Sequence, residues 1–171
     1  MGVLPMQTRD VARAAVMVAL AVALSPFFIP VGVAKLYPAQ HMINVVAAAM
    51  LGPVPAVLVA FMAALARNVL GLGTLLAFPG GMFGALLAAL AYRAFRRPLA
   101  AAAGEVLGTG VLGALASAWL VGPVLLDKPM AAGTLMIAFG LSSVGGAVVG
   151  LAVLKFLRKV NLWQPTSSSN G

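Results

Sequence analysis

Arg67-Asn68-Val69-Leu70-Gly71-Leu72-Gly73-Thr74-Leu75-Leu76-Ala77-Phe78-Pro79-Gly80-Gly81-Met82-Phe83-Gly84 sets an arginine and an asparagine inside a hydrophobic run and follows them with a glycine-rich turn. An arginine at membrane depth carries an insertion penalty of about 2.5–3.5 kcal/mol, so such a residue normally faces a partner or a water-filled cavity and marks a pathway or a site. The glycines and Pro79 around Thr74 and Phe78 permit tight turns and close approach of backbone to a ligand. The stretch reads as one wall of a small-molecule pocket.

What surrounds it is apolar. Of 171 residues, 63% are hydrophobic and 8% charged, the mean hydropathy is +1.08, and the apolar runs repeatedly reach the length that crosses a bilayer as a helix. The expected class is an all-α integral membrane protein. The net charge of +8 sits in small clusters between apolar spans, with no basic stripe interleaved with aromatics, which excludes a nucleic-acid partner. The absence of cysteine removes disulfides, thiolate metal sites and cysteine nucleophiles.

Working outward, prolines and polar clusters divide the chain into six expected spans: Val11–Phe28, Ala39–Leu51, Pro55–Leu70, Pro79–Phe95, Pro98–Gly122 and Met130–Lys155. The first run is long enough to remain as a span and is not followed by a clear signal-peptide cleavage site. Residues 1–163 are expected to form one membrane domain, and the serine-rich tail 164–171 to be disordered. Ala15, Ala19 and Ala23 recur every four residues, a small-residue stripe suited to close helix approach, although alanine is also simply common here. A loop, Val31–Pro38, carries Lys35 and Tyr37 into the second span, where Gln40, His41 and Asn44 converge on one face as a polar cluster or as helix capping. Arg67 falls about 18 Å beyond Pro55, well inside a hydrocarbon core of roughly 30 Å. Gly104 and Gly108 form a GxxxG, and Glu105 lies about 10 Å into the fifth span, where it must pair, hydrogen-bond or protonate. Arg67 is its candidate counter-charge.

Six spans put both termini on one side. Arg9, Arg13, Arg93, Arg96, Arg97, Lys155, Arg158 and Lys159 fall there, against Lys35 and Lys128 opposite, so the positive-inside rule places both termini in the cytoplasm. The Gln40/His41/Asn44 cluster, the Arg67–Phe78 turn and Trp119 then lie toward the outer face. No G-x-x-x-x-G-K-[ST] phosphate loop, H-E-x-x-H or G-x-S-x-G motif is present, and three acidic residues with one histidine are a thin supply for catalysis. Neither an enzyme nor a cofactor is expected.

Leu24-Ser25-Pro26-Phe27-Phe28, Tyr37-Pro38-Ala39-Gln40-His41-Met42-Ile43-Asn44, the Arg67–Gly80 block and Gly104-Glu105-Val106-Leu107-Gly108-Thr109-Gly110 together resemble the ThiW family, over roughly Asp10–Leu157. These are substrate-binding S components of energy-coupling-factor (ECF) transporters, assigned to the thiazole precursor of thiamine. The resemblance implies a six-helix S component of the prokaryotic plasma membrane that captures hydroxyethylthiazole from outside. It further implies a transmembrane T component and two ABC ATPases as partners, with Ala15, Ala19 and Ala23 as the docking stripe. Tyr37, Gln40, His41, Asn44, Arg67, Asn68, Thr74, Phe78, Glu105 and Trp119 are the candidate ligand-binding residues. A stand-alone membrane carrier or channel for another small solute, or an S component for a different thiamine-related ligand, is the alternative.

Overall fold

A computed structural model describes residues 7–31 and 34–163. Among these, the chain forms six helical segments and one small hairpin: α1 Thr8–Ala23, β1 Ile29–Val31, β2 Ala34–Leu36, α2 Pro38–Leu51, α3 Pro53–Val69, α4 Ala77–Phe95, α5 Pro98–Leu125 and α6 Ala132–Lys159. The tail expected to be disordered, Gln164–Gly171, lies outside the described residues.

The helix ends follow local chemistry. α2, α3 and α5 each begin with proline in the first turn, where its missing N–H costs nothing. α3 ends where Gly71 adopts φ +71°, a conformation that ordinary side chains resist. Two expectations are corrected. The first helix stops at Ala23, not Phe28: the Ser25 hydroxyl bonds back to Ala21 O at 2.6 Å, Pro26 follows, and the chain turns into the hairpin. The segment read as a loop, Val31–Pro38, is in part that antiparallel hairpin, with Ile29 paired to Leu36 and Val31 to Ala34.

α4, α5 and α6 are each long and apolar enough to cross a membrane, at 19, 28 and 28 residues. α3 is apolar but shorter at 17 residues, and α1 and α2 span 16 and 14. α5 runs through Pro123 to Leu125, past the expected end at Gly122, because π-helical turns at Gly108–Gly113 and Ser117–Leu125 absorb the interruption.

The bundle is built small side in. Ala47, Ala56, Ala64, Ala85, Ala88 and Ala101 are buried, while Leu58, Leu90, Leu120, Val148 and Phe156 are exposed. In water that arrangement would leave a large apolar surface wet; in lipid it is the ordinary solution, because small residues let helices approach and large ones meet acyl chains. The chain is a membrane protein. α4 is central, packed on α2, α3 and α5, and α6 lies against α2 and α5. The Gly104/Gly108 pair makes the close crossing expected of it: a Cβ at either position would overlap the α4 backbone at Leu87 or Phe83. Since Gly104 meets Leu87 and Gly108 meets Phe83, α4 and α5 run antiparallel. Gly146 and Gly150 meet Pro38–Met42 and Met42–Val45, so α2 and α6 run parallel. This alternation brings the start of α2, the end of α3 and the starts of α4 and α6 to one pole of the bundle.

Candidate functional site

At that pole lies a cavity of about 360 Å³. The start of α2 contributes Tyr37, Gln40 and His41; α3 contributes Arg67; the connecting turn and α4 contribute Thr74, Leu76, Ala77, Gly80 and Gly81; α5 contributes Thr109; α6 contributes Leu135, Ala138, Phe139 and Ser142. The lining is chiefly apolar with a few converging polar groups, as in small-ligand sites generally.

Two buried polar networks frame it. In the first, Arg67, 2% exposed, donates from Nη1 to Gln40 Oε1 and stacks its guanidinium 4.7 Å from the centroid of the Tyr37 ring. A cation over an aromatic face gains most where water is excluded. Tyr37 is held from two sides: its backbone N–H donates to Ser142 Oγ at 2.8 Å, and its ring packs on Phe28 with centroids 6.0 Å apart. The Ser142 bond ties the start of α2 to α6 across the cavity wall and leaves the serine its own O–H to donate.

In the second, Glu105 is fully buried. Its Oε1 lies 2.6 Å from His41 Nδ1, 3.0 Å from Thr109 Oγ1 and 3.3 Å from Asn44 Nδ2. Asn44 also donates to Gly81 O at 3.1 Å, and Thr109 Oγ1 lies 2.9 Å from Gly80 O, so its single proton is directed to one of two acceptors. Glu105 Oε2 has no hydrogen-bond partner and lies against Gly84, where a Cβ would overlap it and Thr109 Oγ1. The carboxylate thus stitches α2 to α5 beneath the cavity, with His41 and Thr109 reaching the lining and Glu105 and Asn44 behind them. The expected counter-charge is corrected here: Glu105 pairs with His41, whereas Arg67 is held by Gln40 and Tyr37.

Of the residues singled out in the sequence, the cavity brings together Tyr37, Gln40, His41, Arg67 and Thr74. Asn68 turns to the backbone instead, donating to Ala64 O at 2.8 Å and Thr74 O at 3.1 Å, and so shapes the Gly71–Thr74 turn. Phe78 packs on Phe61, centroids 5.6 Å apart, and lies outside the lining. Trp119 is 69% exposed on the bundle's outer surface. The aromatic cover comes from Tyr37 together with Phe139, which sequence reasoning missed. Leu135, Ala138, Phe139 and Ser142 do fall at helical spacing on one face of α6, but that helix is apolar on every side and the face carries no contrast. Ala15, Ala19 and Ala23 lie on the exposed face of α1 with Val16 and Leu20, while Met17 and Ala21 turn to the bundle. Among the described residues no cluster of potential metal ligands occurs.

Set against known proteins, the family model described as thiamine-precursor transporter protein (ThiW) matches residues 11–160 of the 171. No curated protein matches the chain.

Proposed function

The chain belongs to the ThiW family of thiamine-precursor transporter proteins, and from that membership we propose that it is the substrate-capture S component of an ECF importer. In this reading it binds hydroxyethylthiazole from outside the cell and hands it to a T component driven by two ABC ATPases. The observation that carries the reading is the cavity: about 360 Å³, near the lower end of the roughly 300–1,000 Å³ typical of ligand pockets, and lined for a small ring with a polar arm. Tyr37 and Phe139 offer aromatic surface to the ring, and Ser142, Thr74, Gln40 and Arg67 offer donors to its nitrogen and hydroxyl.

The topology supports an outward-facing site. All six helices would cross the bilayer, with α1, α2 and α3 as shorter spans beside α4, α5 and α6. The cavity lies at the pole opposite the starts of α1 and the ends of α4 and α6, where Arg9, Arg93, Arg96, Arg97, Lys155, Arg158 and Lys159 are exposed. The positive-inside rule puts those ends in the cytoplasm of a prokaryotic cell. The exposed small-residue stripe of α1 supports docking of a partner helix at Ala15, Ala19 and Ala23.

The test is calorimetric titration of the purified chain with hydroxyethylthiazole, the pyrimidine precursor and thiamine. For a ligand of about nine heavy atoms, the ceiling near 1.5 kcal/mol per atom allows affinity as tight as about nanomolar. Binding of the thiazole alone is the expected result. Exclusive binding of the pyrimidine or of thiamine would remove the thiazole assignment, and solute uptake by vesicles holding only this chain would support a stand-alone carrier instead.

A further inference from the structure

Among the described residues, Arg67 borders the cavity with no anionic partner. Its side-chain contacts are the amide oxygen of Gln40 and the ring face of Tyr37, both neutral, and its Nε is buried without an acceptor. The sequence contains three acidic residues, and all three are accounted for elsewhere. Asp10 pairs with Arg13 at 3.4 Å within α1, Asp127 is exposed in the connection between α5 and α6, and Glu105 is bonded to His41 at 2.6 Å. Every hydrogen bond of Glu105 Oε1 goes to His41, Asn44 or Thr109, and none reaches the guanidinium. A buried cation in an apolar bundle is expensive unless paired, and a bidentate carboxylate is the geometry a guanidinium fork matches best.

We infer that, beside the neutral thiazole alcohol, the cavity takes and holds more tightly a small heteroaromatic acid bearing one carboxylate on a short side arm, whose charge offsets Arg67. The carboxylate lies against Arg67 and accepts from Ser142 Oγ–H, and the ring lies on the Tyr37 and Phe139 surfaces. A phosphate ester fits less well. It carries nearly two negative charges, and among the described residues Arg67 is the one permanent cation in the lining, so the second charge would have no described cation to pair with. The nature of the ring rests on the thiazole reading above; the carboxylate rests on Arg67 alone.

The experiment titrates the full chain in lipid nanodiscs at neutral pH with four probes. These are hydroxyethylthiazole, the thiazole acetic acid formed by oxidising its alcohol arm, the primary amide of that acid, and benzoate. The acid is expected to bind about 10- to 100-fold more tightly than its amide, the range of one charge-assisted contact, and Arg67→Gln is expected to erase that difference. Should Arg67→Gln fail to fold, the comparison of acid with amide on the unmodified chain decides by itself. Equal binding of acid and amide overturns the inference, and if the alcohol still binds, the thiazole reading survives it. Arg67-dependent binding of benzoate with no thiazole bound would do the reverse, keeping the carboxylate site and removing the thiazole.

Discussion

Replacing Glu105 and His41 by alanine, singly and together, tests whether the two act as one unit in the bundle. Glu105 Oε1 lies within hydrogen-bond distance of three side chains, but two of them have a second acceptor: Asn44 keeps Gly81 O at 3.1 Å, and Thr109 keeps Gly80 O at 2.9 Å. Loss of the carboxylate therefore falls mainly on His41. Removing one partner of a buried pair costs about 3–5 kcal/mol, because the other is left uncompensated. Glu105→Ala and His41→Ala should each cost that much. The double variant should cost about as much as either alone, a coupling of about 3–5 kcal/mol, whereas independent sites would add to about 6–10 kcal/mol. Arg67→Ala combined with Glu105→Ala should instead be additive within about 0.5 kcal/mol, since the two share no contact. The assay is reversible unfolding in mixed micelles titrated with a denaturing detergent, followed by helical circular dichroism and by fluorescence of Trp163, which is buried against Tyr92. Additive costs for His41 and Glu105, or strong coupling of Glu105 to Arg67, would refute the pairing.

Phe139→Ala is expected to weaken binding of hydroxyethylthiazole by roughly tenfold or more through lost ring contact, while Trp119→Ala leaves it within about twofold; titration of both variants checks this, and the reverse pattern would move the ring to the outer surface of α5. If the proposed S-component role holds, Ala19→Trp should leave ligand binding intact and abolish co-purification with a T component and ATPases, because an indole on the exposed face of α1 holds a partner helix away; an intact assembly would show that the stripe is not the interface.

Much of this organisation is legible along the chain. The apolar runs declare a membrane protein, Gly104 and Gly108 announce the α4–α5 crossing, and the prolines mark where α2, α3 and α5 begin. Arg67 and Glu105 signal the site by expense: an ionisable side chain in an apolar span needs a reason, and each borders or underlies the cavity. Which partner each one finds is decided only in three dimensions. Opposite charges suggest pairing Arg67 with Glu105, but the relative depth of α2 brings His41 to Glu105 and Gln40 to Arg67. Projection along α5 from Pro98 at a constant angle per residue fails beyond Gly108, where π-helical turns rotate the register. For Trp119, Phe139 and Ser142 the obstacle is the solvent itself. In lipid the outward face of a helix is as apolar as the inward one, so hydrophobicity does not tell the cavity wall from the bundle surface, and only the packing of α5 and α6 against their neighbours assigns those side chains to one or the other.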